Sequence, residues 1–200
     1  MRQILQNYKN GEMLLAELPY PDLRKGFVIV QNAYSAVSPG TEKSTIAISE
    51  KSVFKKALDR PDLVKKVIEQ AKKNGISETL NTVSGRLDSF VGLGYSSAGI
   101  VLEVCPTIKD INVGDLVACA GQGYASHSEI VQVPRHLAVR IPNGVSLMHA
   151  STVTLGAIAM QSVRQLQPEI GASYAVIGFG ILGQLVAKIL DANGCNVLAS

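Results

Sequence analysis

The chain has 200 residues, 46% of them hydrophobic, enough to bury a sizeable core in one or two domains. Its formal charge of +3 is small and dispersed, which gives no case for a nucleic-acid partner. Cys105, Cys119 and Cys195 lie in apolar runs without C-x-x-C spacing, which argues against a disulfide framework and a cysteine-rich zinc site. The first ten residues lack an apolar leader core, and no apolar run approaches membrane-spanning length. The sequence therefore predicts a soluble, cytoplasmic protein with no membrane partner.

Residues 1 to 42 read as short strands between turns. Gln3 to Tyr8, Met13 to Glu17 and Phe27 to Ala36 alternate or run apolar, with breaks at Asn10-Gly11, Pro19 to Asp22 and Lys25-Gly26. The third strand runs into Ser38-Pro39-Gly40-Thr41-Glu42, a loop dense in turn formers and hydroxyls. Residues 43 to about 90 read differently: Pro61 opens a helix with the stripe Leu63, Val64, Val67, Ile68 and Ala71. A second stripe runs through Ile76, Leu80, Val83 and Leu87, so a helical insert is expected at about 50 to 88. Its paired lysines suit the wet face of such helices.

From Gly92 the strands return, at Ile100 to Cys105 and Leu116 to Ala120, on either side of the turn Val113-Gly114-Asp115. Ala125 to Val133 and Leu137 to Ile141 look extended, and alternation along the former sets His127 on the face opposite Ser126 and Ser128. That histidine reads more readily as a core or surface residue than as a working one. Pro142-Asn143-Gly144 is a turn, after which Leu147 to Leu166 reads as helical with an interruption near Gly156.

The stretch Tyr174 to Gly183 organises the rest. Tyr174 to Ile177 suits a strand buried on both faces, and Gly178, Gly180 and Gly183 fall at G-x-G-x-x-G spacing before a helix from Ile181 to Asn193. In a dinucleotide site the first glycine permits the tight turn, and the second admits the pyrophosphate to the backbone. The third lets helix and strand pack closely, while the helix N-terminus supplies free N–H groups for the phosphate charge. The alternative is a glycine-rich turn chosen only for packing. An acidic residue gripping the ribose is expected about 20 residues past the glycines, at or just beyond Ser200, so the chain reads as the front part of a longer protein.

Pro39-Gly40-Thr41-Glu42, Gly94-Tyr95-Ser96-Ser97-Ala98-Gly99, Val113-Gly114-Asp115, Pro142-Asn143-Gly144-Val145 and the glycine fingerprint occur in the order in which the medium-chain dehydrogenase/reductase family carries related motifs. The chain resembles that family. The resemblance implies a mixed fold: a GroES-like, partly open β-barrel over 1–145 with the helical insert, then the start of a doubly wound α/β Rossmann domain over 146–200, truncated after its first β-α-β unit. It also implies an NAD(P)-dependent oxidoreductase that moves hydride to or from a carbonyl or alcohol carbon of a small-molecule substrate. A homo-oligomer is expected as well, since the helix face of Leu182, Val186 and Ile189 lacks part of its cover and the sheet edge is open. Zinc-dependent members hold a catalytic metal where this chain has Pro39, Tyr95 and Thr154, none of them a usual ligand, so no metal is expected. Pro39-Gly40-Thr41-Glu42, the insert stretch from Arg60 to Val67 and Gly94 to Gly99 together resemble the zinc-less first half of two-part oxidoreductases of bacterial polysaccharide biosynthesis, which suggests a sugar or sugar-nucleotide.

The resemblance supplies the catalytic candidates Thr41, Glu42 and Tyr95. Thr41 stands where the family relays protons, or it stabilises its own turn. Glu42 orients a neighbour, acts as a base, or makes a structural hydrogen bond. The Tyr95 phenol could donate to a developing oxyanion in place of a metal, or could simply wall the cleft. Gly178, Phe179, Gly180, Ile181, Leu182 and Gly183 are the cofactor-binding candidates, with Thr154 facing the nicotinamide. The cofactor is NAD or NADP, with a slight lean to NAD from the family analogy. Loss of all three zinc-ligand positions keeps a second function open: a non-catalytic dinucleotide-binding module that senses cofactor or scaffolds a fused partner domain.

Overall fold

A computed structural model describes residues 1–7, 10–40 and 90–200, and all structural statements concern those residues. The expected helical insert at about 50 to 88 lies outside them, as do Thr41 and Glu42.

Strand-forming residues build two antiparallel sheets. The smaller has order β2-β1-β4, from β1 (Arg2–Asn7), β2 (Met13–Glu17) and β4 (Phe90–Gly92). The larger has order β7-β3-β5-β6-β8, from β3 (Phe27–Ser35), β5 (Ser96–Val104), β6 (Leu116–Ala120), β7 (Ile130–Pro134) and β8 (Ala138–Arg140). A bridge between Gln3 and Ser128 joins the sheets into a curled half-barrel. Alternation explains the core. Val28 and Val30 of β3, Val101 of β5, Val117 and Cys119 of β6, and Val131 and Val133 of β7 all point inward. The opposite face of β5 and β6 presents Ala98 and Ala118, small enough for helices to approach, and Ala150, Leu147 and Val153 cover them.

These covering residues come from α1 (Leu147–Ala150) and α2 (Val153–Leu166). The third unit has two parallel strands, β9 (Ser173–Val176) and β10 (Asn196–Ala199), connected by α3 (Ile181–Ala192). Val163 of α2 is buried with Leu190 and Cys195 there, so α2 packs on the barrel at one end and on this β-α-β unit at the other.

Several segments differ from the expectations. The strand expected from Ile100 begins at Ser96, because Ser96 and Ser97 already pair with Ala120 and Cys119. Extended structure is not continuous from Ala125: Ser128 N–H closes on the Ser126 carbonyl at 2.9 Å, and the strand starts at Ile130. This turn buries both Ser126 and His127, so they do not fall on opposite faces of a strand. The helical break falls at Ser151 and Thr152, whereas Gly156 lies within α2. Hydroxyls cause it, since Ser151 Oγ and Thr152 Oγ1 donate to the Met148 and His149 carbonyls, both at 2.8 Å. The fingerprint strand is not buried on both faces. Tyr174 and Val176 turn toward α3, while Ile177 is 92% and Leu198 71% exposed.

Candidate functional site

The glycine loop has the shape that its spacing predicts. Gly178 sits at φ +92°, in the left-handed region, where the chain turns from β9. A Cβ on Gly183 would lie 2.0 Å from the Gly178 carbonyl oxygen, so only glycine lets α3 pack on the turn. Gly180 is the N-cap of α3, with extended backbone, and a Cβ added there would meet nothing within 4 Å. No side chain caps α3 and its first turn holds no acidic residue, so the N–H groups of Ile181, Leu182 and Gly183 are left for an incoming anion. Phe179, Ile181 and Leu182 are exposed around this cradle, 51%, 42% and 39% respectively. Gln184 Nε2 donates to the Phe179 carbonyl at 3.2 Å and holds the loop's outer side. The uncapped helix, the open position at Gly180 and the packed one at Gly183 fit a dinucleotide pyrophosphate.

Two residues far apart in sequence meet at the other end of α2. Thr154 Oγ1 donates to the Tyr95 carbonyl at 3.2 Å, and Gly121 N–H donates to that same oxygen at 2.9 Å. Tyr95 is half-buried just before β5, in the segment that leads to the fully buried Ser96 and Ser97. His127 supports this segment from the barrel side. Its N–H donates to the Leu93 carbonyl at 2.7 Å, and its Nδ1 is 2.8 Å from Ser35 Oγ. Gly94 lies so close that a Cβ there would come within 2.9 Å of the imidazole ring. His127 is thus a buried structural histidine that shapes the Gly94-Tyr95 turn. Pro39 and Gly40 are exposed at the end of the segment after β3.

An apolar groove of about 500 Å³ runs beside Thr154 between α2 and the neighbouring strands β6 and β8, lined by Ala120, Leu137, Val139, Val153 and Ile158 among others. Among the described residues no group of three or more His, Cys, Asp or Glu could hold a metal ion. Pro39 has no donor atom to offer, and Thr154 already spends its hydroxyl proton on Tyr95. The three cysteines are free and buried. Burial pushes the Cys119 thiol up to about 12, whereas hydrogen bonding with Thr107 brings Cys105 down to about 7.

Ser96 and Ser151 escaped the sequence reading. They join β5 to the α1–α2 break, and the only sequence signal was the S-S and S-T pairs at those positions.

No protein-family model matches the chain. A highly reducing polyketide synthase of Aspergillus carbonarius is 30% identical over 148 residues, 72% of this chain and 6% of that protein. The D-guloside 3-dehydrogenase of Escherichia coli is 28% identical over 107 residues, 53% of this chain and 30% of the enzyme. The solved structure of the Escherichia coli quinone oxidoreductase complexed with NADPH superposes with a TM-score of 0.71 at 19% identity, covering 100% of this chain and 52% of that one. The chain thus spans about half the length of that structure and about a third of that dehydrogenase. Its fold is that of the medium-chain dehydrogenases/reductases: a partly open GroES-like barrel followed by the start of a Rossmann unit. No helix among the described residues is long and apolar enough to cross a membrane.

Proposed function

We propose that the chain supplies the substrate-side β-domain, residues 1–145, and the dinucleotide cradle, within 146–200, of an NAD(P)-dependent oxidoreductase. The observation that carries this reading is the cradle, in which Gly183 packs on Gly178 while Gly180 and the first turn of α3 stay open. A bound nicotinamide dinucleotide supplies the hydride transfer. The first turn of α3 holds the pyrophosphate, and Phe179, Ile181 and Leu182 wall its approach. Thr154 would lie on the nicotinamide side, and the Tyr95 phenol would donate to the carbonyl oxygen of the substrate in place of a metal. Thr41 and Glu42 are the proton-handling candidates. The reaction is zinc-independent, and the substrate is a small carbonyl or alcohol of the sugar or sugar-nucleotide class, as in polysaccharide biosynthesis. That one relative is a D-guloside 3-dehydrogenase supports the sugar class. NAD and NADP both suit the cradle, and the NADPH held by the quinone oxidoreductase structure gives no support to a lean toward NAD. Three free cysteines fit a reducing cytoplasm. The working state is a homo-oligomer.

The test is turnover by the full-length protein with NADH and with NADPH on a panel of keto-sugars, sugar nucleotides and simple ketones, alongside metal analysis. Hydride transfer at less than a tenth of an equivalent of zinc supports the reading. One tightly held zinc per chain refutes the metal-free mechanism. Tight dinucleotide binding without turnover on any substrate favours the second reading, a non-catalytic cofactor-binding module. The engagement of the Thr154 hydroxyl with the Tyr95 backbone is the observation on that side.

A further inference from the structure

Ser96 is fully buried, and its hydroxyl is where three segments meet. Ser96 Oγ donates to the Ser151 carbonyl at 2.6 Å and accepts from Thr154 N–H at 3.3 Å. Ser151 lies just past the end of α1 and Thr154 in the first turn of α2, where helices leave carbonyls and N–H groups without partners of their own. One side chain from the sheet satisfies a group on each side of the break. The neighbouring residue grips the same turn, since the Tyr95 carbonyl accepts from Thr154 Oγ1.

The other end of α2 belongs to the nucleotide unit, where Val163 is buried against Leu190 and Cys195. Nine residues of helix separate Thr154 from Val163, about 13 Å at the usual rise. A helix is stiff over that length, so its angle at the Ser96 joint sets where the glycine cradle stands relative to Tyr95.

We propose that Ser96 is a positioning residue: its hydroxyl fixes the pivot of α2, and with it the placement of Tyr95 and Thr154 against a dinucleotide held by the Gly178–Gly183 loop. The proposal rests on the oxidoreductase reading for its consequence in turnover, and on the hydrogen bonds alone for its consequence in the fold. Removing the hydroxyl leaves the buried Ser151 carbonyl and the half-buried Thr154 N–H without that partner, and the helix relieves this by shifting. The glycine loop is untouched, so dinucleotide affinity survives while the reacting groups lose alignment.

The test compares Ser96→Ala and Ser96→Cys with the parent full-length protein by hydrogen exchange and by steady-state kinetics. Cys keeps a weak donor of similar size, and it keeps the test open should the alanine variant fail to fold. In Ser96→Ala, amide exchange across residues 151–156 is expected to rise at least tenfold, with α3 unchanged and Ser96→Cys intermediate. In turnover, kcat is expected to fall about tenfold while the KM for the dinucleotide stays within twofold. Unchanged exchange at 151–156, or equal loosening of α3, overturns the proposal, as does a kcat within twofold of the parent. If the parent itself transfers no hydride to any substrate, the oxidoreductase reading fails, and the exchange result alone decides whether Ser96 holds the pivot.

Discussion

Gly183 faces the carbonyl oxygen of Gly178 so closely that one added carbon would stand 2.0 Å from it, whereas Gly180, between them in the motif, faces open space. The two positions therefore respond differently to the same change. Gly183→Ala must push α3 off the turn and should cost about 3 kcal/mol, with loss of dinucleotide binding. Gly180→Ala has ordinary extended backbone to occupy and should cost under about 1 kcal/mol. Its methyl nevertheless stands where a pyrophosphate would approach, so affinity should drop at least tenfold in the full-length protein. Melting and dinucleotide titration of the two variants check this. A Gly180→Ala variant that binds like the parent would falsify the cradle.

The contrast shows what was legible in the residues. Glycine spacing after an apolar run marks the turn and the helix to within a residue, because those glycines answer to backbone geometry that is local in sequence. Met13–Glu17 and Leu116–Ala120 were legible for the same reason, as short apolar runs between turns. The break at Ser151 was not. Gly156 looks like the weak point of an apolar helix, but the cause is a pair of hydroxyls bonding back to carbonyls, fixed from outside by Ser96. Burial of Tyr174 to Ile177 on both faces does not follow from their apolar run, because a strand's second face depends on what else covers the sheet. Tyr95 and Thr154 were singled out one at a time from the family pattern, and their direct contact across 59 positions is a tertiary fact.

That contact yields the second prediction. Thr154→Val keeps the shape of the side chain and removes its donor. The Tyr95 carbonyl retains the Gly121 N–H, so stability should fall by only about 1 kcal/mol. Tyr95→Phe removes the phenol and leaves the backbone oxygen in place, so the fold should be unaffected. If the phenol donates to the developing oxyanion, kcat should fall about 100-fold with dinucleotide affinity unchanged. A Tyr95→Phe enzyme with the parent's kcat would make Tyr95 a wall of the cleft and nothing more.

Acid should loosen the barrel's seams before its core. Backbone and side-chain hydrogen bonds from Arg2, with N–H to Oε2 at 2.8 Å and Nε to Oε1 at 2.7 Å, hold the Glu129 carboxyl below its ordinary value. Arg135 does the same for Asp110, with Nε at 2.9 Å from Oδ1. A carboxyl depressed in the folded state adds stability above its unfolded value, about pH 4, and that stability disappears as pH falls through the folded value. Melting temperature should therefore drop as pH falls below about 4, and salt should blunt the effect because both pairs are exposed. Glu129→Gln should melt lower than the parent near neutrality and converge with it in acid. Parallel pH profiles for the two proteins would remove Glu129 from the account.

The final prediction concerns the outer face of the two-stranded sheet. Along β9 and β10 the residues alternate, so Tyr174, Val176 and Val197 pack toward α3 while Ala175 and Leu198 face away, paired across the strands. Ile170, Ile177 and Leu198 stand 88%, 92% and 71% exposed, large apolar side chains on one small unit. Exposure on this scale favours association, and a two-stranded sheet also offers unpaired backbone at its edges. The 200-residue chain should therefore self-associate at micromolar concentration. Ile177→Lys and Leu198→Lys, which place charge on that face without touching the core, should raise the monomer fraction together. Sedimentation velocity across a concentration series reads this directly, and a parent chain that stays monomeric at 100 micromolar, roughly the level at which weak contacts show, would sink the idea.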